Sequence, residues 1–336
     1  MKSLFKHKIF LKILKVLLAG GTIAYIGYKI FFASDFGLFF ENLLGAGIIF
    51  WVLMLVALAG VALNWTFEIF KWKALYGKVN QISFADAAKG VLSGCTISAW
   101  MPNRTGDYLG RILFIPGNHY GKAIVSSVFG NMTQLLVTVL AGFGGLFYYF
   151  FYTQGVQFPL WTVIFPVFIL MVLIFFCAFP ARVVGLLPER IMGYSTRKYV
   201  GVLAHFSLSD RLYVTGMSMS RYIVFSLQYV LLLWAFQVDI TIGAALAMVS
   251  LVFLVQSVIP SFALTEAGVR GAASIYFIGL LAANEPGILM ASYTLWALNL
   301  VIPASAGAYF IMKEGALAGR ELALPFNGLQ VFSKAR

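Results

Sequence analysis

Two segments about half a chain apart each combine a proline, an acid and an arginine. In the first segment Pro102 precedes Asp107, and an arginine, Arg111, follows the acid by four residues. In the second, Pro260 precedes Glu266, and Arg270 again follows four residues later. Because the same three residue types recur in the same order at nearly the same spacing, the two segments read as copies of one element.

The order of these residues suggests a binding element inside a membrane. Proline cannot continue the helix before it, so the backbone unwinds there. At membrane depth, unwound backbone is tolerated only where protein or a water-filled cavity surrounds it. An acid stabilises the start of the next helix, and an arginine four residues later lies on the same face. Such helix starts could bind a zwitterionic or anionic head group. Alternatively, the acid–arginine pairs only hold the structure together.

Further polar residues lie within apolar segments. Arg221 lies several residues inside one of them, where a charge costs about 2.5–3.5 kcal/mol unless it pairs or reaches the surface. Asn131, Gln134 and Thr138 share one helical face, which fits either a ligand contact or hydrogen bonds between helices. Taken together, the candidate substrate-binding residues are Arg104, Asp107, Arg111, Asn131, Gln134, Arg221, Glu266 and Arg270, and the candidate structural breaks are Pro102, Gly106, Pro260 and Gly268.

One cluster of charged and aromatic residues has the composition of an interfacial anchor. Lysines and tryptophans are enriched where a membrane-spanning helix meets water. This pattern predicts that a single stretch lies at the membrane surface: Trp65, Glu68, Lys71, Trp72 and Lys73.

Composition excludes an ordinary soluble protein. Hydrophobic residues make up 61% of the 336 residues and charged residues 11%, against about 25% charged in soluble domains. Apolar stretches long enough to cross a bilayer recur along the chain. The net charge of +12 arises largely in the connections between them, which is typical of the positive-inside rule rather than of nucleic-acid binding. We therefore expect an all-α polytopic membrane protein and no nucleic-acid partner.

The hydropathy pattern predicts six full spans and two interrupted regions. The spans are predicted near 13–32, 43–66, 124–151, 158–179, 214–237 and 287–311, with the first one uncleaved, and the interrupted regions are 82–120 and 241–282.

Charge places four basic stretches on the cytoplasmic side. They are the N-terminus, residues 71–78, the loop 181–212 and the tail 313–336. If these stretches are cytoplasmic, the region 82–120 must enter the membrane from the cytoplasm and return there. The region 241–282 must enter from the outside and return to the outside. We therefore expect two oppositely oriented re-entrant hairpins in an inverted repeat. All of 1–336 would form one membrane domain, with halves at about 10–152 and 158–312.

These motifs resemble the transmembrane region of the lysylphosphatidylglycerol synthase/flippase family. The similarity covers roughly residues 10–315 and rests on Pro102 to Asp107 with Arg111, and on Pro260-Ser261 with Glu266, Gly268 and Arg270. Asp107 stands where many relatives have glutamate, and the helix with Asn131 and Gln134 is neutral where many carry charges. The resemblance implies a lipid-handling membrane domain. The short segment after the last span leaves no room for the soluble aminoacyl-transferase domain of full-length synthases, so lysine transfer is not expected.

The sequence therefore predicts an inner-membrane flippase or transporter for a lipid or a lipid-linked head group. Two alternatives remain: an assembly partner of a separate envelope-modifying enzyme, and a membrane-embedded lipid transferase. No catalytic or nucleotide-binding motif is recognisable, so we expect no enzyme activity and no cofactor. The two cysteines, Cys95 and Cys177, and three scattered histidines have no metal-ligand spacing, so no metal site is expected. The oligomeric state is left open.

Overall fold

The computed structural model describes residues 45, 47–101, 105–115, 119–154, 160–186, 199–259 and 263–314, which form helices and no strand. The predicted all-α class is thus confirmed for this part of the chain. Several predicted features lie outside it: the span 13–32, both proline-containing tips at 102–104 and 260–262, part of the loop 181–212, and the tail from 315 onward.

Eleven α-helices are described, and we number them in chain order. They are α1 (Gly47–Gly77), α2 (Phe84–Trp100), α3 (Gly106–Ile112), α4 (Tyr120–Tyr148), α5 (Leu160–Ala178), α6 (Pro180–Gly185), α7 (Leu208–Ala235), α8 (Ile242–Val258), α9 (Ala263–Ile278), α10 (Glu285–Trp296) and α11 (Ile302–Lys313). A π-helical turn, Tyr149–Gln154, extends α4, and a second one, Ala297–Val301, joins α10 to α11. A 3₁₀ turn, Gly201–His205, precedes α7.

Three of the described helical segments are long and apolar enough to cross a membrane, namely Gly47–Gly77, Tyr120–Phe151 and Glu285–Lys313. Two shorter apolar helices, Val167–Ala178 and Ile242–Val258, accompany them. Large apolar side chains such as Ile48 and Trp51 lie on the outside of the bundle, where a membrane protein meets lipid rather than water. The fold is therefore compatible with a membrane protein.

Two helices extend beyond the predicted spans. The second span, predicted to end near 66, continues as α1 to Gly77. Its charges do not end the helix, because Lys71 pairs with Glu68 one turn away. Similarly, α7 begins at Leu208, inside the predicted loop, where Ser207 and Asp210 form a reciprocal capping box.

In the described part of each interrupted region, two helices pack against each other, while their re-entrant orientation stays a prediction. In the first, α2 lies against α3, and in the second, α8 lies against α9. Helices α2 and α8 both have 17 residues and end two residues before the respective proline. The α2–α3 contact is backbone to backbone, since a Cβ atom on Gly110 would collide with Gly94, and one on Gly106 with Ile97.

Helices that are distant in the chain pack against each other. The most extensive helix–helix contact among the described residues joins α1 to α7. Helix α2 packs on α11, and helix α8 packs on α4. Both of the latter contacts depend on a glycine: Gly307 lies against the Leu92 carbonyl, and Gly145 lies against Ser250 and the Ala247 carbonyl. Clusters of buried apolar side chains pack around these interfaces, and the described part of the bundle also buries polar and charged side chains.

Candidate functional site

Glu68 on α1 is the centre of a buried charge cluster. Its Oε1 accepts a hydrogen bond from Arg111 Nη2 of α3 over 2.7 Å. Its Oε2 accepts one from Arg221 Nη1 of α7 over 2.7 Å, and Lys71 Nζ lies 2.7 Å from the same oxygen. One carboxylate therefore joins three helices and three cations.

Arg111 is further fixed by its own helix. Its Nε and Nη2 lie 3.0 and 2.9 Å from Asp107 Oδ2 one turn earlier, so the predicted acid–arginine pair forms. The Arg111 guanidinium also lies over the ring of Trp72, with 5.2 Å to the centroid. Arg221 lies in the same way over Trp65, at 5.3 Å. Both aromatic faces stabilise the cations by electrostatic attraction.

This cluster corrects the prediction of an interfacial anchor. Glu68 and Lys71 are each 1% exposed and Trp72 is fully buried, so their side chains contact protein and cannot anchor the helix in lipid head groups. Only Lys73 is exposed as expected. The reason is that Arg111 and Arg221, which are distant in the sequence, form ion pairs with Glu68 and so offset the free-energy cost of burying its charge.

A second cluster repeats the motif on α9. Arg270 Nη2 lies 3.1 Å from Glu266 Oε1, so the predicted pair forms here too. Gln256 of α8 bridges it, donating to Glu266 Oε1 over 2.6 Å and accepting from Arg270 Nε over 3.2 Å. Arg270 also lies over the ring of Phe225, one turn after Arg221 on α7. Both clusters therefore contact the same helix.

A chain of buried amides continues from Arg221. Arg221 Nε donates to Asn64 Oδ1 over 3.0 Å, and Asn64 Nδ2 donates to Asn299 Oδ1 over 2.8 Å. Asn299 Nδ2 in turn lies 3.4 Å from Gln228 Oε1, and Gln228 donates to the Ala57 carbonyl. Asn299 lies in the π-helical turn between α10 and α11, a kind of irregularity that is frequent at functional sites.

Both clusters line one cavity of about 550 Å³. Helices from both halves contribute to its wall, including the face of α4 that carries Asn131 and Gln134. Asn131 donates to the Tyr108 hydroxyl over 3.3 Å, and Gln134 donates to the Ser218 carbonyl over 3.3 Å. These two residues thus form the hydrogen bonds between helices that one sequence interpretation predicted, and they also face the cavity, where a ligand contact stays a prediction. The rest of the wall includes apolar side chains such as Phe225 and Phe253.

Seven of the eight candidate binding residues lie in the described part of the chain, and all seven line this cavity: Asp107, Arg111, Asn131, Gln134, Arg221, Glu266 and Arg270. The eighth, Arg104, lies outside the described residues, as do Pro102 and Pro260. Gly106 is packed against α2, and Gly268 is buried within α9.

Sequence reasoning missed four contributors to the site, namely Asn64, Glu68 as a partner of the arginines, Gln256 and Asn299. All are polar residues within apolar helices, which is itself a signal of intramembrane partners. Their partners, however, lie in other helices and could not be identified from spacing.

The described charges of the first cluster do not balance. Lys71, Arg111 and Arg221 supply three positive charges, whereas Glu68 and Asp107 supply two negative ones. The Glu266–Arg270 pair of the second cluster is neutral. A buried excess charge is costly unless another group compensates it. The described part of the cavity is therefore suited to an anion.

Within the described residues, no group of three or more histidine, cysteine or acidic side chains could hold a metal ion. Cys95 and Cys177 are both buried free thiols. No family model matches the chain, and neither a curated protein nor a solved structure matches it. The resemblance to the lysylphosphatidylglycerol synthase/flippase family thus rests on the short motifs alone, and functional arguments must start from the cavity.

Proposed function

We propose that the protein is a membrane transporter of the flippase kind, which moves a lipid or lipid-linked anionic head group between leaflets. The observation that carries this proposal is the cavity, which is lined by three arginines, Arg111, Arg221 and Arg270, inside a bundle whose outer surface is apolar. Arginine in such a setting is costly, and it usually marks a pathway for an ion or substrate. The mixed polar and apolar wall suits an amphiphile, which has both kinds of surface.

We further propose that the two halves form an inverted repeat in the inner membrane, with the hairpins α2–α3 and α8–α9 entering from opposite faces. The equal lengths of α2 and α8 support this arrangement, as does the reciprocal packing of α2 on α11 and of α8 on α4. In transporters with inverted repeats, the substrate site lies between the halves, and rocking of one half against the other alternates access. The cavity between the two acid–arginine pairs fits that role.

Labelling of engineered cysteines tests the orientation. In a background without Cys95 and Cys177, single cysteines replace residues at the ends of the two hairpins: Gln81, His119, Thr241 and Ala283. All four positions are exposed and lie just outside helices. An impermeant thiol reagent should label the first two only from the cytoplasm and the last two only from outside. Labelling of all four from one face would rule out the inverted repeat.

Transport is tested with purified protein in liposomes that contain a phospholipid with a fluorescent acyl chain. Membrane-impermeant dithionite bleaches the outer leaflet, and a flippase also exposes the inner-leaflet lipid to it. Arg221→Ala and Arg270→Ala, one from each cluster, should slow this second phase. Lys73→Ala, an exposed cation on the same helix as Glu68, serves as the matched control.

Unchanged flipping in correctly inserted Arg221→Ala and Arg270→Ala proteins would contradict the proposal. Absence of flipping together with strict co-purification of one soluble enzyme would favour an assembly partner.

A further inference from the structure

Arg221 is the arginine of the cavity that a ligand can reach most easily. Its side chain is 20% exposed, against 4% for Arg111 and 3% for Arg270. Its Nε and Nη1 donate to Asn64 and Glu68, whereas its Nη2 makes no hydrogen bond to any described residue. A guanidinium presents its donors in a fixed fork that matches phosphate and carboxylate oxygens. Arg221 is thus anchored on one side and keeps donor capacity for an anion.

Lys71 weakens the ion pair between Glu68 and Arg221. Lys71 Nζ and Arg221 Nη1 each lie 2.7 Å from the same carboxylate oxygen, Oε2. One oxygen therefore serves two cations, while the other oxygen of Glu68 bonds to Arg111. Lys71 does not line the cavity and cannot touch a ligand there. It acts through Glu68, by leaving part of the charge of Arg221 uncompensated.

The acids of the cavity are already engaged. Asp107 is bonded to two nitrogens of Arg111, and Glu266 is bonded to both Arg270 and Gln256. A ligand ammonium close to either carboxylate would also meet the arginine that neutralises it, which is unfavourable in a low-dielectric site. An anion instead meets a first cluster whose described charges leave one excess positive charge. A doubly charged anion would in turn leave one buried negative charge without a partner.

We propose that the cavity selects a phosphodiester with one net negative charge, that Arg221 binds this group, and that Lys71 is the positioning residue that sets the charge selectivity. The proposal rests on the proposed lipid-transport function and adds the charge class of the substrate to it. It also assigns a role to a buried lysine that the sequence had placed at the membrane surface.

The test compares binding of matched ligands by calorimetry in an uncharged detergent. Dihexanoylphosphatidylmethanol carries one net negative charge, dihexanoylphosphatidylcholine has the same chains and is zwitterionic, and dimethyl phosphate is the charged group without chains. The variants are Lys71→Met and its control Lys73→Met, two lysines of α1 of which only the first is buried. Lys71→Met leaves Glu68 with two arginine partners, so the fold is expected to persist.

We expect the wild-type protein and Lys73→Met to bind the singly charged lipid at least about tenfold more tightly than the zwitterion. Lys71→Met should lose about tenfold in affinity for the singly charged lipid, because one nearby charge is removed from a poorly solvated site. Arg221→Ala should abolish the preference. Equal affinity for both lipids in the wild-type protein, or an unchanged preference in Lys71→Met, would overturn the charge rule even if flipping in liposomes persists. Dimethyl phosphate binding as tightly as the lipid would keep the charge rule and contradict a lipid substrate.

Discussion

Arg221 Nη1 donates to Glu68 Oε2 over 2.7 Å, although 153 residues separate the two in the chain. This bond joins α1 to α7, the two helices in most extensive contact, and both residues line the cavity. The same carboxylate also holds Arg111 of the first hairpin. Glu68 therefore links α1, α3 and α7, and its removal should affect folding as well as function.

Glu68→Gln tests this linking role. The substitution keeps the shape of the side chain but leaves the three clustered cations, Lys71, Arg111 and Arg221, with Asp107 as their only acidic partner among the described residues. We expect the free energy of unfolding to fall by about 3–5 kcal/mol, as in other buried ion networks that lose one member. Equilibrium unfolding of the purified protein in detergent measures the loss. Asp239→Asn, at an exposed acid, should change stability by no more than about 0.5 kcal/mol. Equal effects of both variants would show that Glu68 is not structurally important.

Two adjacent glycines of α4 provide a matched test of the α4–α8 contact. A Cβ atom on Gly145 would lie 2.6 Å from the Ala247 carbonyl oxygen and closer still to Ser250, whereas one on Gly144 would meet nothing within 4 Å. Gly145→Ala should therefore destabilise the protein by about 1–3 kcal/mol through overpacking. Gly144→Ala should be neutral or stabilise it by up to about 1 kcal/mol, because alanine favours a helix. The melting temperatures of the two variants should differ in this direction, and the opposite order would contradict the close contact.

The amide pair of Asn64 and Asn299 should show energetic coupling. Each single change to leucine leaves a buried polar partner without its hydrogen bond, which costs about 1–3 kcal/mol. The double variant should lose less than the sum of the single losses, with a coupling energy of about 0.5–3 kcal/mol. A double-mutant cycle measured by unfolding gives this value directly. As a control, Asn64→Leu and Asn284→Leu should be additive, since Asn284 caps α10 and shares no described partner with Asn64.

Asp210 should make the stability of the start of α7 depend on pH. Partial burial acts to raise the pKa of Asp210, but hydrogen bonds from Ser207 and Lys78 outweigh it and lower the pKa below its ordinary value of 3.8. A lowered pKa in the folded state means that the carboxylate stabilises the fold above its unfolded pKa, and that this contribution is lost as pH falls through the folded pKa.

Asp210→Asn should therefore reduce the free energy of unfolding at neutral pH, by up to about 1 kcal/mol for this partly exposed ion pair and cap. The difference between variant and wild type should shrink as pH falls below the unfolded pKa of about 3.9. Thermal unfolding measured across this range in detergent provides the check. A difference that grows towards acidic pH would show that the carboxylate is not stabilising in its charged form.

The sequence by itself determined the all-α class of the protein and most of the charged residues of its cavity. High apolar content and long hydrophobic stretches left only membrane-type helices, because such surface cannot be exposed to water. The recurring order of proline, acid and arginine predicted both interrupted regions and both i, i+4 ion pairs, since these depend only on local helix geometry. Asn131, Gln134 and Arg221 were found because polar groups at membrane depth need partners.

Only the tertiary structure decided which partners those are. Spacing placed Glu68 and Lys71 at a membrane surface, but contacts with Arg111 and Arg221 bury them in the centre of the bundle. The amide bond between Asn64 and Asn299 likewise joins residues 235 positions apart. Hydropathy and helical periodicity describe how one helix meets its surroundings and carry no information about which distant helix lies beside it. The site forms where α1, α3 and α7 meet, and that meeting is a property of the folded chain.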